Sequence, residues 1–82
     1  MNIQLTKVTI PALIKELQRQ EDLVEDVDLL DDISWSITRL EERPKGTKLV
    51  HINNLSKVPA ALKVEEGYWT INGFAYYLAV PR

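Results

Sequence analysis

The sequence predicts a small α+β fold, and three observations carry that prediction. The chain has 82 residues, 45% of them hydrophobic and 27% charged, which fits one compact domain. An amphipathic pattern typical of helices occupies the first half of the chain. Near the other end, Asn72-Gly73 indicates a β-hairpin with a two-residue turn. Repeats and flexible linkers are not visible in the pattern, so residues 1–82 are expected to form a single domain.

An N-terminal strand and a first helix are predicted in turn. Residues 2–10 mix β-branched and apolar side chains with polar ones in near alternation, which indicates a strand. Pro11 ends that strand. Thr9 is well placed to cap a helix that has Pro11 in its first turn, and an apolar stripe begins at Leu13. The first helix is therefore expected over about residues 11–22.

The second helix has a strand as its rival. A stripe of apolar side chains at helical spacing, acids at its start and bases at its end favour a helix over about residues 28–43, with Asp28 as its N-cap. Residues 33–38, however, alternate strictly between apolar and polar, so residues 33–43 could instead be a strand. The helix is preferred because it explains the stripe and the end charges together. The stripe consists of Leu23, Val27, Leu30, Ile33, Ile37 and Leu40.

The second half of the chain predicts strands. Residues 49–52 are expected to form a short strand, and residues 56–63 one or two helical turns with Ser56 as cap. A C-terminal hairpin follows, because Asn-Gly accepts the positive φ angles of a type I′ turn. One hairpin face is expected in the core, and the other is expected to be partly exposed. The predicted pairs are Ile71 with Phe74 and Trp69 with Tyr76 on the core face, and Tyr68 with Tyr77 on the other.

Charge is distributed unevenly along the chain. The net charge is only −2, but residues 20–38 contain seven acids and no base. Acidic surfaces accelerate association with basic macromolecules. Trp35 falls outside the apolar stripe of the second helix and is expected to be exposed. The pattern predicts a surface for a partner protein with a basic surface, and its candidate residues are Glu25, Asp28, Asp31, Asp32, Trp35, Tyr68 and Tyr77.

Residue patterns for catalysis, cofactors and metals are weak. His51 is the only histidine and there is no cysteine, which removes the common nucleophile–base pairs and zinc ligand sets. His51 is most simply a strand histidine. The aspartates lack the spacing and the central glycine of a calcium loop, and the glycines do not form a phosphate-binding loop. We therefore expect a protein that is not an enzyme and that has no cofactor and no metal.

The function expected is that of a non-catalytic protein-interaction module, a small regulator or inhibitor. The alternative is a small nucleic-acid-binding domain, since helices followed by a hairpin are similar to winged-helix domains in the order of their elements. The aromatic hairpin and four lysines would then contact the nucleic acid. The negative net charge argues against this alternative. A homo-oligomer is compatible with both. The lysines are Lys45, Lys48, Lys57 and Lys63.

The compartment expected is the cytoplasm. A chain without cysteine makes no use of an oxidising environment, and Lys7 and Lys15 interrupt the apolar residues at the start of the chain. No signal peptide and no membrane association are expected from this pattern.

Overall fold

The computed structural model describes residues 2–82 and contains two helices and a mixed four-stranded sheet. The predicted α+β class is confirmed. Two compact units are present: Lys7–Arg43, termed the helical unit, and residues 2–6 together with Pro44–Arg82, termed the sheet unit. The elements in chain order are β1 (Asn2–Ile3), α1 (Ile10–Leu23), α2 (Val27–Glu41), β2 (Lys48–His51), a 3₁₀-helix (Ile52–Lys57), β3 (Leu62–Ile71) and β4 (Phe74–Pro81).

Helix α1 begins as the sequence predicts. Thr9 is its N-cap in an extended conformation, and the Thr9 hydroxyl oxygen accepts a hydrogen bond from the amide of Ala12 at 3.2 Å. Pro11 lies in the first turn, where the missing N–H costs nothing because no carbonyl would have accepted from it. The buried side chains of α1 follow one helical stripe and are Ile10, Leu13 and Leu17.

Helix α2 is confirmed against the strand alternative, with a different N-cap. Asp26, not Asp28, caps the helix: one carboxylate oxygen of Asp26 accepts from the amides of Asp28 at 2.9 Å and Leu29 at 3.2 Å. A cap side chain must reach the amides two and three residues ahead, and Asp26 lies directly before the first helical residue. At the other end, the Arg43 guanidinium donates to the Leu40 carbonyl at 2.8 Å.

The apolar stripe of α2 is buried only in its second half. Ile33, Ile37 and Leu40 are buried, as expected, whereas Leu23 and Val27 are 66% and 70% exposed. Three non-helical residues separate α1 from α2, so Leu23 belongs to the end of α1 and not to the α2 stripe. Val27 is the first residue of α2, where fewer neighbouring side chains can cover it.

The N-terminal strand is much shorter than predicted. Only Asn2 and Ile3 form β1, which pairs in parallel with the end of β3, and residues 4–9 are not strand. Beyond Ile3, the side chain of Asn72 replaces the strand ladder. Its carbonyl oxygen accepts from the Leu5 amide at 2.8 Å, and its nitrogen donates to the Leu5 carbonyl at 2.9 Å.

The sheet has the strand order β1-β3-β4-β2. The hairpin of β3 and β4 is confirmed with all three predicted pairs, and its turn residues Asn72 and Gly73 have φ angles of 53° and 85°. Both strands extend beyond the predicted hairpin, and β3 is irregular between Val64 and Tyr68. Strand β2 pairs with β4 in antiparallel orientation. Local sequence patterns do not predict this pairing.

The helical turns predicted over residues 56–63 are wrong. The 3₁₀-helix lies earlier, and its N-cap is His51 rather than Ser56, since the Nδ1 atom of His51 accepts from the Asn53 amide at 3.0 Å. Pro59 then starts a turn closed by a hydrogen bond from the Leu62 amide to the Pro59 carbonyl. The chain enters β3 at Leu62 because backbone pairing with β4 takes over there.

Burial in the sheet unit follows the predicted core face only in part. Trp69, Ile71 and Leu78 are buried and Tyr76 is half-buried, but Phe74 is 51% exposed. Phe74 is the first residue after the turn, at the end of the sheet, where fewer neighbouring side chains can cover it. Its ring lies against that of His51, with the centroids 4.9 Å apart. The other buried residues of this unit are Ile3 and Ala79.

Candidate protein-interaction surface

Four of the predicted interaction residues share one exposed face of α2. At 100° per residue, Asp28, Asp31, Asp32 and Trp35 fall within an arc of about 100°. All four side chains are exposed, and the buried stripe of α2 lies on the opposite side of the helix. These four residues are termed the outer face of α2.

Trp35 is the largest apolar side chain of the outer face and is 74% exposed. Asp31 and Asp32 lie four and three residues before it, one helical turn away, which is the spacing of neighbouring side chains on a helix surface. The indole ring is therefore bordered by carboxylates on the N-terminal side. This combination can accept a cationic or amphipathic side chain from another molecule.

Sequence reasoning missed Val27 as a surface residue. It was placed on the buried stripe, but it is the first residue of α2 and is exposed. Val27 precedes Asp31 by one helical turn and Trp35 by two, so it borders the outer face. A count of helical phase from Asp26 as the true N-cap would have revealed this position, because a residue at the start of a helix has fewer covering neighbours.

Glu25 lies outside the outer face. It is exposed and belongs to the three non-helical residues between α1 and α2, directly before the capping residue Asp26. The acidic run is thus spread over three places: the end of α1, the connection between the helices and the surface of α2.

Tyr68 and Tyr77 form a second group, in the sheet unit. They are directly opposite each other on β3 and β4, and their ring centroids are 5.5 Å apart with the planes tilted by 42°. Tyr68 is 59% exposed and Tyr77 is half-buried. Val50 of β2 pairs with Tyr77 and adds a half-buried aliphatic side chain to the same sheet face. These three side chains form an apolar group on that face, with the Tyr68 phenol at its surface.

His51 has a structural role in the sheet unit. Its Nδ1 atom accepts the hydrogen bond from Asn53, so the ring proton is on Nε2 in this arrangement. The imidazole also lies edge-on to Tyr76, with the centroids 5.1 Å apart. Across residues 2–82, no three side chains of the histidine, aspartate or glutamate types are arranged to hold a metal ion.

The four lysines of the nucleic-acid alternative are not collected on one element. Lys48 is opposite Ala79 and Lys63 is opposite Val80. Consecutive residues of β4 point to opposite faces of the sheet, so these two lysines do as well. Lys57 ends the 3₁₀-helix and Lys45 lies in the loop before β2. Residues 56–63, predicted as helical turns, form the end of the 3₁₀-helix, a turn and the start of β3.

An ion pair on α1 is the clearest electrostatic interaction of the helical unit. Hydrogen bonds from the Arg19 guanidinium lower the pKa of the Glu16 carboxyl, and a hydrogen bond from Gln20 at 3.2 Å acts in the same direction. The same contact raises the pKa of Arg19.

Comparisons with known proteins gave no assignment: no family model matched, and searches of the curated proteins and of the solved structures gave no match either. Neither α1 nor α2 has the length and apolar content needed to span a membrane, nor does any other helix among residues 2–82.

Proposed function

We propose that the protein is a non-catalytic protein-interaction module, a small regulator or inhibitor that binds a basic partner through the outer face of α2. The single observation that carries this proposal is an exposed tryptophan bordered by three exposed aspartates on one helix face. Tryptophan is among the residues that contribute most to binding free energy at protein interfaces, and carboxylates around it set the sign of the partner surface.

Trp35 is the proposed anchor. An exposed indole is a large apolar surface left in water, and its burial by a partner supplies much of the binding free energy of a small interface. Val27 adds apolar area at the edge of the same face. The partner side chains expected here are Arg and Lys, because a guanidinium or ammonium group can lie over the indole while it pairs with a carboxylate.

Asp31 and Asp32 are the charges most available to a partner. Asp28 lies in the first turn of α2, where a carboxylate is favourable to the helix itself. The other two lie beyond the first turn, where the helix dipole contributes little. Like charges three or four residues apart lower the stability of an isolated helix by about 0.2–0.5 kcal/mol per pair. Helix formation thus accounts for Asp26 and Asp28 but not for the remaining negative charge.

Trp35→Ala and the double variant Asp31→Lys/Asp32→Lys test the proposal. The matched control is Glu41→Lys/Glu42→Lys, which changes the net charge equally at exposed positions at the other end of α2. Partners captured from native lysate by the wild-type protein are purified and titrated against each variant by calorimetry at several salt concentrations. We expect Trp35→Ala to weaken binding by about 30-fold, the effect of a 2 kcal/mol anchor residue, and the aspartate variant to lose its salt dependence.

Equal binding by wild-type protein and outer-face variants rejects the proposal, as does an equal loss in the control. Circular dichroism of every variant separates loss of binding from loss of α2.

A nucleic-acid arm tests the alternative function. Fluorescence anisotropy with duplex and single-stranded DNA across a salt series measures any phosphate contacts made by Lys45, Lys48, Lys57 and Lys63. Salt-sensitive binding at micromolar protein would favour a nucleic-acid-binding domain over the protein module.

Tyr68 and Tyr77 are proposed as contacts of the same protein-binding class, or as contacts between copies of the chain. The variant Tyr68→Ser, examined in the same titrations and by sedimentation, distinguishes these uses. The compartment we propose is the cytoplasm, since a chain without cysteine gains nothing from oxidising surroundings.

A further inference from the structure

The turn between β3 and β4 holds the N-terminal strand by hydrogen bonds from both of its central residues. The side-chain amide of Asn72 forms two hydrogen bonds with the backbone of Leu5, and the backbone amide of Asn72 donates to the Ile3 carbonyl at 2.7 Å. The amide of Gly73 donates to the side-chain oxygen of Asn2 at 3.0 Å. All these residues are in the sheet unit, and the contacts extend an attachment that has only two paired residues in β1.

An asparagine followed by glycine is also the dipeptide most prone to spontaneous deamidation. The backbone nitrogen of the glycine attacks the Cγ carbon of the asparagine, the bond from Cγ to the side-chain nitrogen breaks, and ammonia leaves with the displaced amide proton. The cyclic imide that results is opened by water to aspartate or isoaspartate. Glycine favours the reaction because it has no side chain to hinder the attack. Water and the chain itself are the only reactants.

Both reacting groups are engaged in the folded protein. The attacking nitrogen belongs to Gly73, and its N–H is bound to Asn2. The carboxamide that it must attack is held at its oxygen and its nitrogen by Leu5. Cyclisation therefore requires these hydrogen bonds to break first, and the reaction rate depends on how often residues 2–5 detach from the turn.

We propose that Asn72 is a deamidation site whose reactivity is controlled by attachment of residues 2–5, and that its modification permanently favours release of those residues. A carboxylate at position 72 has no proton to donate to the Leu5 carbonyl, and it places a negative charge against that oxygen. Isoaspartate in addition inserts an extra backbone carbon into a two-residue turn. The hydrogen bond to the Leu5 carbonyl therefore cannot re-form in the aspartate product, and the turn geometry is altered as well in the isoaspartate product.

The first experiment measures the rate of modification at Asn72. Wild-type protein is incubated at mildly alkaline pH, folded or in denaturing urea, and digested peptides are analysed by mass spectrometry. We expect slow reaction in the folded protein and fast reaction in urea. Asn2→Ala should accelerate the reaction of the folded protein about tenfold, which corresponds to the 1.4 kcal/mol of roughly one hydrogen bond. Asn53→Ala, an exposed asparagine far along the chain from the turn, is the matched control and should leave the rate unchanged.

Equal rates for folded and denatured protein would contradict the proposal that the folded structure limits deamidation of Asn72. An Asn2→Ala rate equal to that of the wild type would contradict it too. A rise in the Asn53→Ala control equal to that in Asn2→Ala would contradict the specific role of Asn2.

The second experiment measures the consequence of modification. Hydrogen exchange of the Leu5 amide should be about tenfold faster in Asn72→Asp than in the wild type, because the added carboxylate oxygen repels the Leu5 carbonyl and so weakens the hydrogen bond that this amide donates to the side chain of residue 72. Asn53→Asp adds the same charge elsewhere and should not change this rate. Wild-type protein aged to deamidation and separated by charge gives the same measurement without a substitution, so a folding defect of the variant does not obscure the result. Unchanged protection of Leu5 in the aged protein would refute the release of residues 2–5.

Discussion

Replacing Asp26 by alanine is expected to destabilise α2 more than replacing Asp28, although Asp28 is the residue that the charge pattern nominates as N-cap. The Asp26 carboxylate accepts hydrogen bonds from the amides of Asp28 and Leu29, which have no carbonyl partner inside the helix. Asp28 occupies the second helical position and is exposed. Its role is limited to a favourable position near the positive end of the helix dipole.

The magnitudes separate the two substitutions. Loss of an aspartate cap costs about 1–2 kcal/mol, and the structure supports the upper half of that range because two amides lose their acceptor. Asp28→Ala loses a dipole interaction of about 0.3–1 kcal/mol. It regains about 0.5 kcal/mol because alanine is the better helix former, and it relieves repulsion from Asp31 and Asp32. Asp28→Ala should thus be close to neutral.

Urea unfolding at pH 7, followed by far-ultraviolet circular dichroism, measures both free energies of unfolding. Asp26→Asn is the informative third variant, since it keeps the accepting oxygen and should cost only a few tenths of a kcal/mol. The slope against urea should be the same for all variants if only stability has changed. A cost for Asp28→Ala equal to or larger than that for Asp26→Ala would refute the capping geometry.

Three further predictions concern burial and charge. Leu13→Ala should cost about 2–5 kcal/mol in urea unfolding, because Leu13 is fully buried and its removal leaves a cavity; a cost below 1 kcal/mol would contradict that burial. Arg19→Gln should raise the pKa of Glu16 towards its ordinary value of 4.5, measured by NMR titration. Since the folded-state pKa of Glu16 is lowered, its contribution to stability is present at neutral pH and is lost as the pH falls through that pKa; an unchanged titration would exclude the ion pair. Trp35→Phe should remove most of the tryptophan fluorescence that iodide quenches, because Trp69 is 8% exposed; persistent quenching in the variant would contradict the burial of Trp69.

Local patterns predicted the elements whose stabilising contacts are close in sequence. The Thr9 cap, the start of α1 and the Asn72-Gly73 turn depend on atoms within a few residues, and all three are confirmed. The helix of residues 33–38 was predicted against a strict alternation of apolar and polar residues. It forms because capping at Asp26 and burial of the stripe at every third or fourth residue outweigh the weak helix preference of Ser and Trp.

For the predicted interaction residues, the structure tests only their exposure and placement. Helical periodicity placed Asp28, Asp31, Asp32 and Trp35 away from the apolar stripe, and the structure has all four exposed on one face. Val27 was missed because its exposure depends on where α2 begins. Glu25 lies in the connection between the helices, as the predicted helix bounds imply. The start of α2 is fixed by the Asp26 carboxylate, which accepts from two amides that have no carbonyl partner in the helix.

The sequence by itself determined the α+β class, both helices, the hairpin register and the separation of acids from bases, because periodicity and turn chemistry act over short distances. Only the tertiary structure decided that β2 pairs with β4, that β1 lies parallel to β3, and that Asn72 binds the backbone of Leu5. These contacts join residues far apart in the chain. Which strands pair there depends on the entropy of loop closure and on competition among all strand edges. No local pattern encodes the outcome of that competition.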